Sequence, residues 1–267
     1  MMEQYMLEKR ILPQHGPAPE WETIQPGIEL AQVAQQDPPL AVYCIRIDTH
    51  FPTISFYVSP DNGVRPLETD GLKTSSFLKN YDLEAAINAS PFHPVNTIEG
   101  SGREIHGISA SDGKIYSAQH AGYGAFVVYE DRSVEIVEQP FDLQRVEQAV
   151  SGFRIILDHG TNIGTADSRH PRSAIGISED NRYVFLLAAD GRQASYSIGM
   201  TTEEAAAWLS FFGAHNGLNL DGGGSTTLVI RDHSGNPTIV NRPIHRLIPN
   251  EERVVGNHLG IYAGTLC

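Results

Sequence analysis

Little in this chain points to a metal, a membrane or a nucleic acid. Of its 267 residues only two are cysteines, Cys44 and Cys267. That is too few for a disulfide framework or a cysteine-based zinc site. Cys44 stands in the apolar run "AVYCIRI" and reads as a buried core thiol. The eleven histidines are scattered, with no His-Glu-x-x-His or Cys/His spacing, so no transition-metal centre is expected. No apolar run reaches the ~18 residues that suggest a membrane span. The opening "MMEQYMLEKR" lacks the apolar stretch of a secretory signal. Basic charge is also scarce: 19 Lys+Arg against 32 Asp+Glu leave a net charge of −13. Such a field repels polyanions at long range, so neither nucleic acid nor a membrane is an expected partner. An anionic small substrate would need a local cluster of arginines and backbone N–H groups to outweigh it.

What is present is ordinary globular composition, with 40% hydrophobic and 19% charged residues. A chain of this size can bury a sizeable core, removing ~70–75% of its unfolded surface from water. No repeat, charge run or low-complexity linker divides it. Residues 1–26 are proline-bearing ("LPQHGPAPEW", "QPG") and read as an extended arm, followed by one domain over 27–267. Strand-like runs dominate that domain. "LAVYCIRID" and "TISFYVSP" alternate in polarity, and "SAIGIS" and "YVFLLAAD" flank "EDNR", a hairpin turn. One short helix is expected near residues 72–80. A clearer one lies in "TTEEAAAWLSFFGAHNG", where Thr201 and Glu204 have capping-box spacing. Ala205, Trp208, Leu209 and Phe212 there share a face, and Gly213 marks the stop. A strand, this helix and a second strand in series predict an α+β single domain, a mixed β-sheet core covered by a few helices.

The stretch with the most chemistry is "LNLDGGGST". It puts Asp221 at the end of a short apolar strand, where ligand sites often lie. Gly222, Gly223 and Gly224 permit close approach to the main chain, and successive N–H groups can form an anion nest. Ser225 adds a hydroxyl. No Gly-Lys pair follows, so this is not a nucleotide-binding P-loop. "SRHPRSAIG" offers Arg169, His170 and Arg172 before a strand, and paired guanidinium groups suit phosphate. Asn88 in "INASPFHP", Asp190 and Arg192 in "AADGRQ", and Asn241 and Arg242 in "IVNRP" each read alone as turn residues.

The order of "INASPF", "AVSGFRIILDHG", "HPRSAIGIS", "AADGRQASYSIGMTTEEAAAWLSFFGAHNGLNLDGGGSTTLVI", "IVNRP" and "EERVVGNHLGIYA" resembles the phosphodiester glycosidase family over roughly residues 80–264. The Asp-Gly-Gly-Gly-Ser core with its preceding helix is the most specific part. Ala89 and Ser90 depart from it, standing where the family usually has glycines. The resemblance implies a hydrolase that releases a sugar, N-acetylglucosamine in the type case, from a phosphodiester at its anomeric carbon. It implies a small-molecule or polysaccharide substrate bearing a sugar phosphate, and a secreted or periplasmic location. Carried over by position, the catalytic residues are Asp221, Asp190 and Arg172. The substrate-binding set is Asn88, Arg192, Gly222, Gly223, Gly224 and Ser225. In this reading Arg172 and the glycine nest hold phosphate. Asp221 acts as base or nucleophile on the sugar side, and Asn88 and Asp190 orient sugar hydroxyls. No metal or other cofactor is required, though oxygen ligands could accommodate Ca²⁺. The alternatives are a glycoside hydrolase or exopolysaccharide depolymerase on non-phosphorylated linkages, or a non-catalytic carbohydrate- or anion-binding module. Oligomeric state is left open.

Overall fold

The computed structural model describes residues 12–13 and 18–264. Their strands form four sheets of eight, five, five and three strands, and only two α-helices accompany them. The fold is therefore mostly β, not a mixed sheet under several helices. The two helices do fall where the sequence predicts them, at Thr74–Asn80 and Thr202–Phe212. The expected strand–helix–strand unit also exists, as Tyr183–Ala189, Thr202–Phe212 and Asn216–Asn219. Its two strands run the same way. Arg172–Ile177 lies between them and pairs antiparallel with both, so no parallel ladder results. The hairpin at "EDNR" forms with Ile177 opposite Val184. Within the stretch read as an arm, Glu22–Gln25 is an edge strand paired with Ile28–Gln36.

The eight-stranded sheet is the middle layer. Alternation along Pro39–Asp48 sends Val42 and Cys44 to one face and Tyr43, Ile45 and Ile47 to the other. The first face packs under Thr202–Phe212, with Trp208, Leu209 and Phe212 buried against Phe185 and Leu187. The second packs against the two five-stranded sheets through Phe126, Ile87, Leu259 and Ile261. This burial on both faces explains the near-continuous apolar run around Cys44, which is itself fully buried. Cys267 lies outside the described residues. No helix among the described residues is long and apolar enough to cross a membrane.

The long helix is fixed at both ends. Thr201 and Glu204 complete the capping box, and Gly213 stops it in the left-handed region at φ 111°. Glu204 also pairs with Arg169 at 2.7 Å, tying the helix start to the segment before Arg172. Thr201→Ala should lower stability by about 1 kcal/mol, read as an earlier urea midpoint with an unchanged slope.

Candidate active site

The glycine loop is the place where the chain leaves one sheet for another. Asn219 ends a strand of the eight-stranded sheet, and Leu228–Arg231 pairs with Ala85–Asn88 in a five-stranded sheet. Between them the backbone changes partners: Leu220 N–H donates to Ser173 O at 2.9 Å, and Asp221 N–H to Ala89 O at 2.9 Å. Asn88 holds this crossing. Its Nδ2 donates to Asp221 O at 2.6 Å. Its Oδ1 accepts from Ser173 Oγ at 2.7 Å and Thr227 N–H at 3.1 Å. Expected to touch sugar, Asn88 is buried and engaged at both ends of its amide. Asn88→Ala should therefore cost about 2–4 kcal/mol, because it strands a buried hydroxyl and a buried N–H. Urea unfolding of the variant measures this.

The three glycines have a steric reason. A Cβ on Gly222 would stand 2.8 Å from Pro171 O. On Gly223, which lies at φ 64°, it would meet Arg192 Nη2 at 2.9 Å. On Gly224 it would overlap Arg253 Nη2. Two guanidinium groups therefore lie against the loop at van der Waals range, which only glycine allows. The expected row of N–H groups is largely engaged already. Gly223 N–H donates to Pro171 O at 2.8 Å and Ser225 N–H to Gly222 O at 3.2 Å. Gly222 N–H supports the Asp221 carboxylate.

Asp221 has its carboxyl pushed up to about 6. Burial is the leading cause. The Ser225 hydroxyl, the Arg253 charge and Gly222 N–H oppose it in that order. Arg253 donates through Nη1 to Ser225 Oγ at 3.1 Å and through Nε to His245 Nδ1 at 3.2 Å. Burial, then the neighbouring arginine, lowers the pKa of His245 and keeps its ring a neutral acceptor. Arg192 Nη2 reaches His170 Nδ1 at 3.3 Å, and burial, then Arg192 and Arg172, likewise lower the pKa of His170. None of the ion pairs among the described residues includes Arg192 or Arg253. Their charges are close enough that Arg192 disfavours the cation on Arg253.

The other expected residues stand around this core. Asp190 is buried, and its carboxylate accepts from Asn241 Nδ2 and the Arg242 N–H, each at 2.9 Å. Asn241 in turn holds Thr226 O at 3.1 Å and Leu228 N–H at 2.8 Å. Asp190 thus fixes the far end of the loop through Asn241. Arg172 stands beside Gly222 by its backbone, but its guanidinium donates to Met200 O at 3.0 Å, Asp167 Oδ2 at 2.9 Å and Ser168 O at 2.9 Å. Strand alternation explains this: Ser173 turns toward Asn88, so Arg172 turns the other way. Arg253 and His245 were missed as site residues. Arg253 lies in "EERVV", where two adjacent acids make it read as a solvated charge. Among the described residues no group of three or more His, Cys, Asp or Glu side chains is gathered to hold a metal ion.

Asp221 thus opens a glycine loop against which the Arg192 and Arg253 guanidinium groups lie, in an antiparallel β fold. The chain belongs to the phosphodiester glycosidase family, whose model matches residues 81–262. Its fold is shared by solved structures. The catalytic domain of zebrafish N-acetylglucosamine-1-phosphodiester alpha-N-acetylglucosaminidase, auto-inhibited by its pro-peptide, superposes with a TM-score of 0.64 at 18% identity. It aligns with 96% of this chain over 87% of its own. A hypothetical protein from Synechocystis gives 0.64 at 14% identity over 94% of this chain, which spans only 64% of that protein. No curated protein matches the chain by sequence.

Proposed function

We propose that the protein hydrolyses the bond between the anomeric carbon of a sugar and a phosphodiester. The observation that carries this reading is the pair Arg192 and Arg253, held against Gly223 and Gly224 outside any described ion pair, in a chain of net charge −13. Unpaired cations fixed beside one carboxylate suit a reaction in which negative charge grows on a departing phosphate. A phosphate monoester leaves without help from a general acid. That fits a site where the neighbouring carboxylates are already engaged, Asp190 by Asn241 and Arg242, and Asp167 by Arg172.

Ionised Asp221 acts on the sugar side, either taking the proton of the attacking water or attacking the anomeric carbon itself. The C–O bond breaks with its electron pair passing to the phosphate oxygen, which Arg192 and Arg253 receive. Overall, water is consumed, and the free sugar and a phosphomonoester are released. Ser225 orients Asp221, and His245 and His170 orient the two arginines. Asn88 and Asp190 position the loop that carries them.

Arg192→Ala should reduce kcat/KM on a glycosyl phosphodiester by ~10²-fold or more while leaving thermal stability nearly unchanged, because Arg192 is exposed. Crystals soaked in inorganic phosphate test the reading itself. The ion should sit between the Arg192 and Arg253 guanidinium groups. Phosphate bound elsewhere, with this position vacant, contradicts it.

A further inference from the structure

Next to the arginine loop lies a cavity of about 240 Å³ whose walls include Phe153, Ile156, Ile163, Arg172, Thr202 and Asn219. The space corresponds to roughly eight waters at their share of the liquid, the scale of one sugar ring and not of a chain. It adjoins the proposed phosphate position through His170. That ring contacts Arg192 on one side and feels the charges of Arg172 and Asp167 on the other. Asn219 stands two residues before Asp221, at the end of the strand that leads into the loop.

Two independent features of this cavity point to a ligand. Asn219 is only 4% exposed, yet its Oδ1 has no hydrogen-bond partner among the described residues. Buried amide oxygens are ordinarily bonded. Rotation of this amide about χ2 can present either its acceptor or its donor end to the cavity. The second feature is Phe153, a large apolar side chain left 36% exposed at the wall. It is braced edge-on by Tyr123 at 5.7 Å, and Tyr123 in turn packs on His120 at 4.4 Å. Of the two arginines in the cavity lining, Arg172 is paired to Asp167 at 2.9 Å and Arg154 is solvent-exposed. The walls offer an aromatic surface, aliphatic Ile156 and Ile163, and the buried amide of Asn219. That combination suits a pyranose, with its C–H face and its hydroxyl edge.

We infer that this cavity is a subsite for a neutral pyranose, in which the Asn219 amide hydrogen-bonds a ring substituent and Phe153 packs on the ring face. The inference rests on the proposed function for its place in the reaction: it puts the sugar of the glycosyl phosphodiester beside Asp221 and the phosphate over Gly223 and Gly224.

The test is an NMR titration of the full ¹⁵N-labelled chain, without phosphate. The ligands are the methyl pyranosides of glucose, galactose, mannose and N-acetylglucosamine. At least one should shift the Asn219 side-chain amide and the Phe153 backbone signals saturably. Phe153→Ala and Asn219→Ala should each weaken that binding tenfold or more. The Phe153 variant alters an exposed residue and so serves if the Asn219 variant fails to fold. Inorganic phosphate, read at the Arg192 Nε–H signal, should bind these variants as it binds wild type. If no sugar shifts the two signals, or if a folded variant binds sugar like wild type, the inference is overturned, with phosphate binding at Arg192 still supporting the catalytic reading. Sugar binding at Asn219 with no phosphate binding at Arg192 supports the inference and counts against the catalytic reading.

Discussion

Asp221→Asn should leave the protein folded, more stable at neutral pH, and inactive. The substitution keeps the shape and removes the charge. On the proposed account it lowers kcat on a glycosyl phosphodiester by ~10²–10⁴-fold, the usual range for losing a positioned acid–base group. The stability effect follows from the same environment. Burial pushes the Asp221 carboxyl up to about 6, whereas an unfolded Asp titrates near ~3.9. Between those values the folded chain binds more protons than the unfolded one. Stability is therefore lost as pH rises through about 6, and retained below the unfolded value. A two-unit shift corresponds to at most ~3 kcal/mol, and Asp221 keeps partial contact with solvent, so about 1–3 kcal/mol is expected. The Asn variant should exceed wild type by that amount at pH 8 and lose its advantage toward pH 4. Urea unfolding across pH measures it. Wild-type activity should rise with pH through an apparent pKa of about 6, as the carboxylate forms. A variant that is no more stable at pH 8 than at pH 4, relative to wild type, would show that Asp221 is not held against its solvation.

Arg253→Ala should be nearly as damaging, with a different signature. Arg253 is half of the proposed phosphate grip and also a cation acting on Asp221. Its loss should lower kcat/KM on phosphodiesters by ~10²–10³-fold. It should also move the rising limb of the pH profile upward, since the charge that favours the Asp221 carboxylate is gone. Gly224→Ala offers a check that keeps the arginine. The new methyl group would occupy the place of the Arg253 guanidinium, so the variant should reproduce both the activity loss and the shifted limb. If Gly224→Ala is fully active, the guanidinium does not need its position over the loop.

The parts of this account that were legible in the sequence are those set by local rules. Thr201, Glu204 and Gly213 mark the ends of the long helix because capping chemistry is confined to a few consecutive residues. The Asp-Gly-Gly-Gly-Ser loop stood out because three adjacent glycines call for an explanation. What they accommodate was not legible. The expected answer was a nest of N–H groups, but the closest neighbours are Pro171 O and two arginines, one of them 29 residues downstream of Gly224 in sequence. Contacts across that separation leave no periodic trace. Orientation was the second limit. Arg172 and Ser173 are adjacent, and which of them faces the loop depends on a register that flips with a one-residue shift. The ladder with Asn216–Asn219 turns Ser173 toward Asn88 and Arg172 toward Asp167. Asn88 and Asp190 show a third limit. Their types and positions suggested contact with substrate, yet both have their polar atoms engaged with backbone and neighbouring amides, and act on the site by holding the loop.

The most direct test compares two substrates with the same sugar and anomeric configuration, one carrying a phosphodiester leaving group and the other a neutral aryl group. The account predicts that wild type cleaves the phosphodiester with kcat/KM at least ~10²-fold above the neutral glycoside, a preference of the size one charge-stabilising group supplies. It also predicts that Arg192→Ala and Arg253→Ala erode that preference. Equal or faster cleavage of the neutral glycoside, or a preference that survives loss of both arginines, would contradict it.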